Sequence, residues 1–367
     1  MSPYGGDRIV ALRIMGEELK FKMAAEASGR SRRRAQRVTM AEVAEHAGVS
    51  PSTVSLYLRK PETVSPAAGR AIAQAIDELD YVPNFVAGGL AAASSRVVSV
   101  IVPSVRNAFF AETVAALQSE LGKERLQVIL GHTEYSEREE ESLVRAALSW
   151  APAAVVIAGL SHASATVKLL RASRVPVVEI WELGNEPIDM AVGFSHAQVG
   201  AAAADHLARR GRKRLAFLGA RMQEDHREAE RAEGFLAAAR ANGAELAVSL
   251  NHPAPAMVEV GGVLLAQAMQ QHPELDAIAC SNDHIALGVL FECQRRNIAI
   301  PGRVALVGFG DLPFAPASNP SLTTIRPPGD LIGRETARLI LARMRGEDES
   351  ADRVVDTHFV LVQRQSS

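Results

Sequence analysis

At 367 residues the chain has room for two to three domains of about 150 residues each. Its 47% hydrophobic and 22% charged residues are the balance of a folded globular protein, which excludes a wholly disordered or collagen-like chain. A formal net charge of −2 excludes a general polycation, two cysteines (Cys280, Cys293) exclude a disulfide framework or four-cysteine zinc site, and no run of 18 apolar residues offers a membrane span.

The first twenty residues scatter charges through their only apolar stretch, unlike a secretory signal, so the chain is expected to stay in the reducing cytoplasm. From Arg30 to Arg37 it reads RSRRRAQR, five arginines in eight residues without an acid. Residues 1–37 are expected to be a disordered basic arm, a solvated tail or a nucleic-acid contact depending on the segment beside it. Met23 is an alternative start that would keep the arginines.

From Val38 the sequence carries a compact helical pattern. Thr39 with Glu42 three residues on reads as a capping box, and Met40, Val43 and Ala44 repeat at helical spacing until Gly48. Ser50 caps a second helix with Pro51 at its first position and Val54 and Leu58 on its buried stripe. Pro61 ends it, Ser65-Pro66 starts a third helix on Ile72, Ile76 and Leu79, and Tyr81 and Pro83 close the unit. Two helices joined by a tight turn form a helix-turn-helix whose second helix can enter a major groove. Residues 38–83 carry a net charge of −3, whereas residues 30–83 carry +2. Phosphate neutralisation dominates nucleic-acid affinity, so the arm is expected to supply contacts that the headpiece lacks.

From Arg96 onward, short apolar runs alternate with amphipathic helices: VVSVIVP (97–103), LQVILG (126–131), AAVVIAG (153–159), VPVVEI (175–180), RLAFLG (214–219), AIAC (277–280) and VALVGF (304–309), with helices expected at Ala111–Glu124 and Glu137–Trp150. The alternation predicts an α/β fold with parallel sheets covered on both faces, and some 270 residues call for two doubly wound lobes. Ligands of such sheets bind beyond the carboxyl ends of the strands.

Enzyme signatures are missing: there is no GxxxxGK[ST], no GxSxG and no HExxH. His132, His162, His196 and His206 are scattered without metal spacing, and Glu137, Glu139, Glu140 and Glu141 read as an acidic helix start. Cys293 has no evident histidine partner. The chain is expected not to be an enzyme and to need no cofactor or metal.

The segments VTMAEVAEHAGVSPSTVSLYL and VSPAAGRAIAQAIDELDYVPN resemble the DNA-binding headpiece of the LacI/GalR family of bacterial repressors, and the resemblance continues to about Gln363. It implies a headpiece over 38–83, a hinge helix over 84–95, and an effector-binding and dimerisation domain of the type I periplasmic-binding-protein fold over 96–367, with lobe crossings near 188–195, 325–327 and 352–357. It implies DNA contacts by Thr39, Ser50, Pro51, Ser52, Thr53, Ser55, Asn84 and Leu90, the last matching a leucine that wedges into the minor groove. Pro51 has no side-chain donor, and Leu56 stands where an arginine is common, so base discrimination is expected to rest on Ser52, Ser55 and the hinge. Gly88 and Gly89 each cost a helix roughly 1 kcal/mol, which suits a hinge that folds on DNA.

By the same resemblance, Ser104, Asn107, Phe109, Phe110, His162, Arg221, Arg231, Asn282 and Asp311 are candidate effector contacts. GFGD (308–311) departs from the usual pattern, which has an acid where Gly310 stands. Without the family, Phe109 and Phe110 read as core, His162 as a capping residue and Arg231 as a solvated helix charge. IVPSVRNAFFAE, SWAPAAVVIAG, DMAVGF, FLGAR and ALGVLFECQRRNI are similar to the gluconate-utilisation branch, which implies gluconate or a close aldonic or keto-aldonic acid, with Arg231 and Arg221 on its carboxylate. The implied protein is a homodimeric, cytoplasmic, nucleoid-associated repressor of double-stranded operator DNA. A neutral sugar or purine effector, an activator, and a sugar-binding transport protein remain as alternatives. VQRQSS at the end carries no leucine heptads, so no coiled-coil tetramer is expected.

Overall fold

The computed structural model describes residues 38–82, 96–105, 109–184, 186–347 and 353–367. The basic arm expected over 1–37 and the hinge helix expected over 84–95, with Asn84 and Leu90, lie outside the described residues, as does Asn107. The chain divides into two compact units, Met1–Phe85 and Val86–Ser367.

The first unit runs α1 (Met40–His46), α2 (Pro51–Arg59) and α3 (Pro66–Glu78), with a short 3-10 turn at Pro61–Thr63 between α2 and α3. Thr39 Oγ1 accepts from the Glu42 amide at 3.3 Å, and Glu42 Oε2 accepts from the Thr39 amide at 2.6 Å, so the capping box is complete. Ser50 and Ser65 cap α2 and α3 by accepting from the Thr53 and Ala68 amides, without a reciprocal partner among the described residues, and each is followed by proline at the first turn. Val43, Ala44, Val54, Ile72, Ala75 and Tyr81 make the core, flanked by Leu58, Ile76 and Leu79.

Among the described residues the second unit contains two six-stranded sheets. In chain order its first half runs β1 (Val97–Val102), α4 (Phe109–Lys123), β2 (Gln127–His132), α5 (Glu137–Ser149), β3 (Ala154–Ala158), α6 (Ser164–Ser173), β4 (Val177–Ile180) and β5 (Met190–Gly193). The second half runs α7 (His196–Arg209), β6 (Arg214–Ala220), α8 (His226–Ala241), β7 (Leu246–His252), α9 (Val258–Gln271), β8 (Ala277–Cys280), α10 (Asp283–Arg295), β9 (Ala305–Phe309) and β10 (Thr323–Arg326). The chain then returns through α11 (Gly329–Arg345) and β11 (Val354–Asp356) to β12 (Val360–Val362). The sheet orders are β11-β5-β4-β3-β1-β2 in lobe 1 and β12-β10-β9-β8-β6-β7 in lobe 2. The chain therefore passes between lobes after Gly193, after Arg326 and after Asp356.

Valine, isoleucine and alanine fill both faces of the inner strands, as parallel sheets buried under helices require. The sheets are parallel as expected apart from β12, which pairs antiparallel with β10. It enters lobe 2 directly from β11 without a crossover helix, so it can only take an edge. The main core continues from Val100, Phe110 and Trp181 of lobe 1 to Phe235, Val307 and Phe309 of lobe 2. Helices α7 and α8 cross at backbone contact: a Cβ on Gly200 would lie 1.9 Å from Arg231 O, and one on Gly234 would lie 2.0 Å from Ala197 O. That crossing fixes the helix that carries Arg231.

Candidate functional site

A cleft opens at the carboxyl ends of the strands, with walls from both lobes. Lobe 1 contributes Ser104 beyond β1, Phe109 and Phe110 on the first turn of α4, Tyr135 beyond β2 and Trp181 beyond β4. Lobe 2 contributes Arg221 beyond β6, a series on α8, Asn282 beyond β8 and Phe309 at the end of β9. Several of these positions are turned sharply out of their strands. Glu134, Tyr135, Trp181 and Arg221 have φ of 49°, 66°, 68° and 55°, a region that non-glycine residues seldom occupy and that clusters at functional sites.

Arg231 is the central charge. It is buried, its guanidinium carbon lies 4.4 Å from the centroid of the Phe309 ring, and its Nη1 donates to His196 Nδ1 at 2.9 Å. Its Nε has no hydrogen-bond partner among the described residues. His196 Nε2 donates to the Trp181 carbonyl at 2.7 Å, so the ring serves as donor on one nitrogen and acceptor on the other, which requires the neutral form. Burial, then the charges of Arg231 and Arg227, hold its pKa well below the ordinary histidine value, in agreement with that geometry.

Asp225, Glu228 and Arg231 follow one another at three-residue spacing along the start of α8 and share a face. Glu228 Oε1 accepts from the Ala220 amide at 2.8 Å, and burial followed by the Asp225 charge pushes its pKa up to about 7. Arg227 Nε lies 3.4 Å from Asp225 Oδ1. Burial and the Asp225 charge also push the Tyr135 phenol upward, so it stays a donor. Ser104 Oγ donates to Glu134 Oε1 at 3.3 Å, and Asn282 Oδ1 caps α10 by accepting from the Ile285 amide at 3.0 Å. The wall thus combines an arginine with an unused donor, hydrogen-bonding groups of both kinds, and aromatic faces from Phe109, Phe110, Trp181 and Phe309. It suits a small polar ligand that carries negative charge.

Of the sequence-derived candidates, Ser104, Phe109, Phe110, Arg221, Arg231 and Asn282 line the cavity together. Two are not among the residues that line it. The His162 ring has no exposed side-chain surface and is held by Glu140 (Nδ1 to Oε1, 3.0 Å), Gly159 O (3.0 Å from Nε2) and Glu179 (3.4 Å), so it ties α5 to β4 rather than facing the cavity. Asp311 lies against Arg326 (Nε to Oδ2, 2.5 Å) and Arg364 (Nη2 to Oδ1, 2.6 Å), which draw its carboxylate into lobe 2. Trp181, His196, Asp225, Arg227, Glu228 and Phe309 line the cavity without having been singled out as contacts. The three-residue spacing of Asp225, Glu228 and Arg231 was the available signal.

On the headpiece, α2 exposes Pro51, Ser52 and Leu56, while Thr53 and Ser55 are half-buried. Thr39 and Ser50 are also exposed, and Ser50 Oγ lies within hydrogen-bond distance of Ser52 Oγ (2.7 Å) and Thr53 Oγ1 (2.8 Å). Among the described residues no helix is long and apolar enough to cross a membrane.

Comparison with known proteins gives matches to both parts of this chain. Residues 39–84 match the family of bacterial regulatory proteins called lacI, and residues 204–367 match the periplasmic binding protein-like domain. The HTH-type transcriptional regulator GntR of Pseudomonas aeruginosa is 37% identical over 332 residues, covering 90% of this chain and 96% of its own. The HTH-type transcriptional regulator IdnR of Escherichia coli K12 is 31% identical over 325 residues, with 88% and 96% covered. A crystal structure of a LacI-family transcriptional regulator from Silicibacter pomeroyi superposes with a TM-score of 0.84 at 32% identity, covering 90% of this chain and 99% of that one.

Proposed function

Because this chain belongs to the lacI family and is a DNA-binding transcriptional regulator, we propose that it is a repressor released from its operator by a small sugar acid, gluconate or a close aldonic or keto-aldonic relative. The observation that carries the reading is Arg231: a buried guanidinium beside a neutral histidine, with its Nε directed to no partner among the described residues. A carboxylate placed there gains charge-assisted hydrogen bonds from a buried guanidinium. Arg221 lines the same cavity, and Ser104, Asn282, Asp225 and Glu228 supply donors and acceptors for hydroxyl groups.

In this reading two chains act as a homodimer in the cytoplasm. Their headpieces take the half-sites of a pseudo-palindrome, with Ser52 and Ser55 of α2 at base edges, and the hinges with Leu90 meet in the central minor groove. The acid binds between the lobes, favours their closed arrangement and lowers operator affinity. By linkage, operator binding weakens acid binding by the same factor.

The test begins with operator fragments selected from random DNA by the full-length protein. Gluconate should release the wild-type protein from a selected fragment, and Arg231→Ala should hold the fragment but no longer respond. A variant that still responds would remove Arg231 from the carboxylate. A wild-type protein released by a neutral hexose or a purine, and by no acid, would overturn the sugar-acid assignment.

A further inference from the structure

Four buried hydrogen bonds run in series from the cavity through the lobe boundary. Arg231 Nη1 donates to His196 Nδ1 (2.9 Å), and His196 Nε2 donates to Trp181 O (2.7 Å). Trp181 Nε1 donates to Thr113 Oγ1 (3.0 Å), and Thr113 Oγ1 donates to Gly329 O (2.9 Å). Arg231 belongs to α8 of lobe 2, and His196 opens α7 just after the first crossing. Trp181 and Thr113 belong to lobe 1, and Gly329 opens α11 just after the second crossing. The link between the lobes in this series is therefore the imidazole.

We propose that His196 is a positioning residue, which holds Arg231 in the orientation that receives the effector and ties that orientation to the closed contact between the lobes. The proposal rests on the acid-effector reading for its consequence and on the hydrogen-bond series for its geometry. A neutral ring with its proton on Nε2 satisfies both neighbours: the Trp181 carbonyl needs a donor and the guanidinium needs an acceptor. Reversing the tautomer would set Nδ1–H against Arg231 Nη1–H and would leave Trp181 O facing a lone pair. The ring cannot turn freely, because Phe194 packs against it at 4.8 Å between centroids and Phe309 at 6.2 Å. Phe309 also lies beneath the Arg231 guanidinium, so one phenyl ring supports both members of the pair. If the lobes part, Trp181 O withdraws from His196 and Arg231 loses its oriented acceptor. Effector affinity then depends on closure through a specific contact rather than through cavity shape alone.

The experiment is isothermal titration of the full-length wild-type, His196→Gln and His196→Phe proteins with gluconate. Phenylalanine keeps the aromatic packing but can neither accept from Arg231 nor donate to Trp181, and glutamine can do both. His196→Phe should bind gluconate at least tenfold more weakly than wild type, and His196→Gln should stay within about threefold. Equal binding by His196→Phe, or equal weakness of the two variants, overturns the proposal. Absence of gluconate binding by the wild-type protein itself would instead count against the acid-effector reading. In that event the imidazole 15N spectrum of the wild-type protein decides the positioning role. A single neutral Nε2–H form from pH 5 to pH 8 supports it, and an Nδ1–H form or a ring that titrates near pH 6.5 overturns it.

Discussion

The Phe109 ring occupies the space into which a side chain at position 310 would grow: a Cβ on Gly310 would lie 2.1 Å from Phe109 Cε1. Gly310 also has φ of +129°, a conformation open in practice to glycine alone. The pattern that usually has an acid at this position is thus replaced here by an aromatic ring from the opposite lobe.

Gly310→Asp should consequently destabilise the protein by about 2–4 kcal/mol, from backbone strain and overpacking together. Equilibrium urea unfolding measures this directly. Phe109→Ala in the same chain should recover part of the loss, because the clash disappears while the strain at φ +129° stays. A fully stable Gly310→Asp protein would show that Phe109 does not hold this place.

Gly200→Ala puts a methyl group against the Arg231 carbonyl, where 1.9 Å is available. Helix α8 must move, at a cost of about 1–3 kcal/mol, and Arg231 moves with it. Thermal unfolding and effector titration should both register the change, whereas a substitution of the exposed Gly211, with nothing within 4 Å, should leave effector affinity as it was.

Much of this architecture was legible in the chain. The capping residues Thr39, Ser50 and Ser65 mark real helix starts, and seven apolar runs fall on strands within one or two residues. Strand β7 escaped because LAVSLNH is an edge strand that buries little of either face, and β12 because three residues carry no usable period. Topology pointed to the positions just after strands, and the family resemblance chose among them. His162 and Asp311 obey the same rule but were captured by carboxylates and arginines distant in sequence, and no local pattern reveals such partners. His196 and Trp181 remained hidden for the same reason, since their importance lies in a hydrogen bond that spans the lobes.

His162 makes stability depend on pH. Burial opposes its charged form, but hydrogen bonds and charge from Glu140 and Glu179 prevail and push its pKa up to about 9. A raised folded-state value means that this stabilisation is fully present below about pH 6.5 and is lost as pH rises through about 9. His162→Gln should remove on the order of 1–3 kcal/mol at pH 6 and much less at pH 9.5. Urea unfolding at the two pH values checks this, and an equal loss at both would contradict the charged assignment.

Glu228, pushed up to about 7 by burial and Asp225, should couple acid binding to protons. A carboxylate beside Arg231 raises the Glu228 value further, so the complex holds more proton than the free protein, and affinity falls as pH rises from 6 to 8. Glu228→Gln should flatten that dependence. A wild-type affinity independent of pH over this interval would contradict the coupling.

Deleting residues 1–37 removes the five arginines of Arg30–Arg37. Operator affinity should drop, and the slope of log K against log salt should become shallower by up to about 4. An unchanged slope in fluorescence anisotropy titrations would mean that the arm touches no phosphate.

The most direct test of the sugar-acid assignment is thermal unfolding of the purified protein with gluconate, 2-ketogluconate, 6-phosphogluconate, a neutral hexose and a purine in turn. A ligand bound by the native state alone adds about 2.7 kcal/mol at one hundred times its dissociation constant, enough to raise the midpoint measurably. The midpoint should rise with one or more of the acids and stay unchanged with the hexose or the purine. A rise with the hexose or the purine and none with any acid would contradict it.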